Sequence, residues 1–160
     1  MKKIRNSYGF TLVELMLVVL LLTVIAGLTL PNFSRGFDSM KLKQTAKDLT
    51  YMMRYAQSRA ITKNKHVRLV FEENYQRYHL EEENGSDNFV QVNGRAGRIF
   101  HIPSGIQIES DNDEILFFPD GQIEKLYVYI CQREKCFTVS TKEQRGHALL
   151  YNERVEEERL

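Results

Sequence analysis

Two cysteines, Cys131 and Cys136, face each other across four polar residues in YICQREKCFTV, and both flanks read as strands. That spacing sets them opposite one another at the base of a hairpin, close enough to bridge. Metal ligation is the sharper alternative, but two cysteines without a nearby paired histidine make an incomplete zinc set. The spacing is not the C-x-x-C of a redox pair. His66, His79, His101 and His147 are scattered singly along strand-like segments, as surface or packing residues are. The run ESDNDE has oxygens that could hold Ca²⁺ but lacks the rest of a recognised loop, and it reads as an acidic turn. No serine elbow, H-E-x-x-H, phosphate loop or dinucleotide fingerprint occurs. These residues predict no enzyme, no metal and no cofactor.

The remaining chemistry lies near the start, where Glu14 interrupts an apolar run from Phe10 to Leu30. A carboxylate in lipid costs on the order of 3 kcal/mol at the centre of a span and less toward its ends. The run is 21 residues, about 31 Å as a helix, which matches a bilayer's hydrocarbon core. Lys2, Lys3 and Arg5 precede it and predict a cytoplasmic N-terminus with the remainder outside. A cleaved secretory signal fits less well, because the run is long and LTLPNF, with Pro31, offers no small-x-small site. Setting those three cations aside leaves 19 basic against 21 acidic side chains, a net of −2. Such a body has no global pull on nucleic acid, and only a local patch could supply one.

The segment GFTLVELMLVVLLLTVIAGLTLP resembles the N-terminus of type IV pilins and type II secretion pseudopilins. The resemblance covers the basic leader, the Gly9–Phe10 junction, Glu14 and Pro31. It implies that residues 1–9 are a leader removed by a prepilin peptidase, and that Phe10 is then N-methylated. Glu14 would become the fifth residue of the mature chain. Freed of Gly9, Phe10 carries a positive amine in an apolar setting, and Glu14 lies one turn further in, able to offset that charge on its own chain or a neighbour's. A carboxylate in the first turn also meets the positive end of the helix dipole. Glu14 is therefore expected to set the register of assembly. Gly27 and Pro31 weaken the helix, and a kink is expected at Pro31.

From Asn32 to about Asn64 the pattern stays helical. Leu42, Ala46, Leu49, Met53, Ala56 and Ala60 alternate spacings of four and three, forming one apolar stripe. Tyr51, Met52, Met53 and Tyr55 are expected in core and shoulder packing. After Asn64 the period changes to two, and nine short segments read as strands: HVRLVF, YQRYHLE, FVQV, RIFHI, GIQIES, EILFF, LYVYIC, CFTVS and HALLY. Turn signals such as ENGSDN, NGRAG and PDG divide them. The predicted fold is α+β and pilin-like: a long N-terminal helix, membrane-spanning over 10–30, with its second half packed on antiparallel sheet in a 31–160 domain. Phe118, Pro119, Asp120 and Gly121 read as a strand end and turn, and NERVEEERL as a solvated, frayed end.

The layout, with LTYMMRYAQSRAITKNKHVRLVF and later ILFFPDGQ, resembles minor pseudopilins of the GspH/FimT type. That implies a filament subunit of a type II secretion system, anchored in the inner membrane with its domain in the periplasm. Its partners would be other pseudopilins or minor pilins, the prepilin peptidase, an inner-membrane assembly platform with its adenosine triphosphatase, and membrane lipid. The alternative is a FimT-like minor pilin of a type IV pilus that binds DNA for uptake. Lys63, Lys65 and Arg68 at the helix–strand junction, with Arg95 and Arg98 in NGRAGR, would make the contact. The net −2 body argues against DNA, and QRGHALLYNER does not match the Arg-rich motif of that subgroup.

Overall fold

The computed structural model describes residues 9–85, 88–142 and 146–155, excepting the side chains of residues 28–36. The chain divides into two units, Met1–Asp38 and Ser39–Leu160. Helix α1, Leu12–Lys63, contributes to both. Its start is capped by Thr11, whose Oγ1 accepts the Glu14 backbone N–H at 3.3 Å. Thr11 and Glu14 have the T-x-x-E spacing of a capping box. Its end is a Schellman turn: Asn64 adopts a left-handed φ of 51°. There the Lys65 N–H donates to the Ala60 carbonyl and the Asn64 N–H to that of Ile61.

In the second unit, Leu42, Ala46, Leu49, Met53, Ala56 and Ala60 are all buried, which is the stripe expected from the spacing. Thr45 and Thr50, buried beside them, satisfy their hydroxyls on the carbonyls of Lys41 and Ala46 one turn back. Tyr51 departs from expectation: Met52 and Met53 are buried, but Tyr51 stands 71% exposed.

All nine strand-like segments form strands, and they separate into two antiparallel sheets. The first contains β1 (Val67–Glu72), β2 (Arg77–Glu83), β3 (Phe89–Gln91), β4 (Phe100–His101) and β6 (Glu114–Phe117). Its order is β3-β2-β1-β6, with β4 also paired to β2. The second contains β5 (Gln107–Ser110), β7 (Tyr127–Gln132), β8 (Lys135–Ser140) and β9 (Leu149–Tyr151), in the order β5-β7-β8-β9. Alternation does the sorting within a strand: Val67, Leu69 and Phe71 of β1 and Ile115 and Phe117 of β6 are buried, while their neighbours face outward.

The helix is tied to both sheets by polar side chains. Arg59 pairs with Glu82 of β2 at 2.7 Å, and Arg54 donates to the Ala148 carbonyl just before β9. Buried Gln57 donates from Nε2 to the Gly121 and Gly146 carbonyls, holding two loops on the helix at once. One of those loops is the Phe118–Gly121 turn, which closes through a Gly121 N–H to Phe118 carbonyl bond.

Two segments differ from the sequence reading. β2 begins at Arg77 because Glu73, Asn74 and Tyr75 all take positive φ, 51°, 54° and 63°. Tyr75 therefore sits in the turn, its ring on Phe71 and its hydroxyl donating to Asp113 at 2.6 Å. That bond, with burial and the nearby acids, pushes the phenol up to about 12. The second difference is the C-terminal stretch, which is not frayed through residue 155. Thr138 Oγ1 donates to the Glu153 carbonyl and accepts the Val155 N–H, and Tyr129 donates to the Val155 carbonyl. Arg154 lies over the Tyr129 ring and pairs with Glu109. The stretch thus crosses the outer face of the second sheet. Residues 156–160 lie outside the described ones.

Cys131 and Cys136 are directly paired in the β7–β8 ladder and form a disulfide. The loop it closes is short, so removing it by Cys131→Ser with Cys136→Ser should cost about 2–3 kcal/mol of stability. Urea unfolding of the full chain measures this. Thiol labelling of exported native protein should find neither cysteine reactive, and two free thiols would sink the bridge.

Candidate functional site

Phe10, Thr11 and Glu14 open α1, and Glu14 lies in its first turn. In the unprocessed chain the Phe10 nitrogen is part of a peptide bond, so no charge is available there for Glu14. Nothing lies within 4 Å of where a Cβ on Gly9 would stand, so packing does not require glycine at that junction. Phe10 is 73% exposed, and the apolar side chains from Leu12 to Leu22, with Val24 and Ile25, are exposed as well. Among the described residues no helix is long and apolar enough to cross a membrane. The expected span to Leu30 and the kink at Pro31 reach into side chains outside the described ones, as Lys2, Lys3 and Arg5 do.

The five candidate basic residues do not converge. Lys63 closes α1, and Lys65 lies in its terminal turn. Arg68 points to the outer face of the first sheet, where it pairs with Glu81 at 2.7 Å and Glu114 at 2.8 Å and covers the Phe89 ring. Burial opposes ionisation of Glu81, but hydrogen bonds from His79 and Arg68 outweigh it and hold the carboxyl below its ordinary value. Arg68 is thus neutralised by its neighbours.

Arg95 and Arg98 lie on the other face, at a short 3-10 turn, Arg95–Gly97. The turn sits close on the end of β3: a Cβ on Gly97 would fall 1.5 Å from the Val92 carbonyl oxygen. Gln91 Nε2 also donates to the Gly97 carbonyl. With Asp48, Tyr51, Met52, Tyr55, Tyr78 and Phe100, the two arginines line a groove of about 380 Å³ between the turn and α1. Arg98 lies 4.9 Å from the Phe100 ring centre, and Phe100 stacks on Tyr78. Burial, helped by Asp48 and opposed by Arg98, pushes the Tyr78 phenol up. Sequence reasoning named the arginines but missed the groove, since Tyr51 and Tyr55 come from a helix distant in the chain. Thr11 was also missed, although its T-x-x-E spacing to Glu14 was readable. Among the described residues no cluster of three metal-ligating side chains occurs.

Comparison with known proteins bears on both ends of the chain. The prokaryotic N-terminal methylation motif matches residues 4–30. The type II transport protein GspH family matches residues 45–144. No curated relative matches by sequence. Among solved structures, the minor pseudopilin EpsH from the type 2 secretion system of Vibrio cholerae aligns with a TM-score of 0.61 at 12% identity, over 70% of this chain and 97% of its own. The type IV minor pilin FimU of Pseudomonas aeruginosa aligns with a TM-score of 0.55 at 15% identity, over 71% of this chain and 90% of its own. At such identities the likeness speaks to the fold, a helix laid on antiparallel sheets. The family match is of another kind, because it spans most of the chain outside the N-terminal segment: the chain belongs to the type II transport protein GspH family, whose members are structural pseudopilins.

Proposed function

We propose that this chain is made as a precursor, processed at Gly9–Phe10, and built into a secretion filament as a minor pseudopilin. Residues 1–9 are the leader, cut by the prepilin peptidase on the cytoplasmic side, and Phe10 is the residue then methylated. Residues 10–30 cross the inner membrane once, leaving the domain in the periplasm. The observation that carries this is the exposed apolar start of α1 in a chain whose domain is otherwise well packed. Such a surface needs lipid before assembly and neighbouring helices after it. A disulfide at Cys131–Cys136 suits the oxidising periplasm. Other pseudopilins, the assembly platform and membrane lipid are the implied partners.

Processing is the direct test. Gly9 has open space around it, so Gly9→Leu should fold normally yet accumulate at precursor size. Mass spectrometry of the membrane fraction should find wild-type protein beginning at a methylated Phe10. A mature N-terminus beyond Pro31 would mean an ordinary signal peptide and overturn the reading.

The alternative, a FimT-like pilin that binds DNA, needs its basic residues on one face. Arg68 and the Arg95–Arg98 pair lie on opposite faces of the first sheet, and Arg68 is already paired. Phosphate binding through six or more contacts would weaken roughly a thousandfold between 50 and 200 mM salt, and no such salt-sensitive binding to duplex DNA is expected of this domain.

A further inference from the structure

The groove between α1 and the Arg95–Gly97 turn is not accounted for by the helix-mediated assembly proposed above. Its lining is unusual for a solvent-facing surface: three tyrosines, a phenylalanine, a methionine, an alanine and two arginines, with one aspartate. Tyr51 at its mouth is 71% exposed, and Ile99, beside Arg98, is 40% exposed. Tyrosine, phenylalanine, methionine and arginine are the types enriched at protein interfaces, and tyrosine and arginine dominate their energetic centres.

The charges say what kind of partner fits. Arg59, Arg68, Arg77 and Arg154 each pair with a carboxylate, and Arg54 is held by a backbone carbonyl. Arg133 is engaged as well. Arg95 and Arg98 have no carboxylate or carbonyl partner among the described residues, and both line this one groove. Asp48 lines the same groove and keeps its charge, its Oδ1 accepting from Gln44, but it forms no ion pair with either arginine. The groove therefore offers two unspent guanidinium groups above an aromatic floor.

We infer that the groove receives an acidic peptide segment of a neighbouring pilin-like subunit, one in which a carboxylate flanks an aromatic or aliphatic side chain. The apolar side chain enters between Tyr55, Tyr78 and Phe100, and the carboxylate meets Arg95 and Arg98. This rests on the filament-subunit reading, which places other subunits beside the domain. A nucleic-acid strand fits less well. The volume, about 380 Å³, is near the low end of the range for bound small molecules. Single-strand sites track several nucleotides along a continuous basic groove, whereas this one ends at Asp48 in a body of net −2. Gly97 gives the arginines a fixed position, because the turn that carries them rests on the Val92 carbonyl with no room for a side chain.

The test uses the full chain in non-ionic detergent with its tyrosines replaced by 3-fluorotyrosine. Titration with the peptide Ac-Asp-Phe-Glu-Leu-NH₂ should shift the fluorine signals of Tyr51, Tyr55 and Tyr78. Those of Tyr127 and Tyr129, on the outer face of the second sheet, should stay fixed and report an intact fold. The Asn/Gln version of the peptide, and the exposed double variant Arg95→Gln with Arg98→Gln, should each bind about tenfold more weakly or worse, the loss expected for one charge-assisted hydrogen bond. A photo-crosslinker at Tyr51 in cells should join an acidic segment of another pilin-like subunit, identified by the crosslinked peptide. No response of the groove tyrosines, equal binding of the neutral peptide, or stronger binding of oligothymidylate would each overturn the proposal. Because the titration needs neither cleavage nor a filament, its failure is distinct from failure of processing at Gly9.

Discussion

Glu14→Ala should leave membrane insertion intact and remove the subunit from filaments. Taking a carboxylate out of an apolar helix eases its transfer into lipid, so the variant should fractionate with membranes at least as fully as wild type. The helix start should survive too, because Thr11 caps it through the backbone N–H of residue 14, which alanine keeps. On the proposed processing at Gly9–Phe10, the freed Phe10 amine would lose its partner. Breaking a buried ion pair from one side costs about 3–5 kcal/mol, equivalent to a loss of on the order of a hundredfold or more in the equilibrium for subunit addition. Crosslinking in the cell envelope and quantifying the variant in complexes with other pseudopilins reads this directly. Unchanged incorporation would rule out registration by this charge, whereas unchanged insertion alone would not.

The largest loss of stability is expected at Phe117. Its side chain is fully buried at the end of β6, where it pairs with Val67 of β1 and bridges to Ile123. Phe117→Ala should cost about 3–5 kcal/mol through lost burial and the cavity left behind, against a total of roughly 5–15 kcal/mol for a domain of ordinary stability. Chemical denaturation of the full chain should show a midpoint far below wild type. Tyr51→Ala is the contrast, since an exposed side chain should change stability by no more than about 0.5 kcal/mol. Similar losses at both positions would mean that the core is not where the structure puts it.

Much of this could be read from the residues in order, because the signals concerned are local. The spacing from Leu42 to Ala60 makes one face of a helix whatever it packs on, and all six positions are buried. A period of two marked each strand, and the four residues between Cys131 and Cys136 sufficed to place them across one hairpin. The stretch matched by the N-terminal methylation motif, residues 4–30, also holds local features, an apolar run and its one carboxylate.

What the tertiary structure decided are the pairings between distant segments. Alternation says which side of a strand is buried but not which strand lies beside it. Hence the chain's passage from β5 in the second sheet to β6 in the first, and back to β7, could not be read from pattern. The same limit hid the fate of the charges: Arg68 is spent because β1 lies between the strands carrying Glu81 and Glu114. Arg95 and Arg98 stay unpaired because their turn is pressed onto β3, beside a helix far away in sequence. Asn152–Val155 looked like a loose end for the same reason, since the hydroxyls that hold it belong to Tyr129 and Thr138 on strands it does not adjoin in sequence. Periodicity reports the environment one turn or one pleat away, and loop closure over tens of residues chooses the partners.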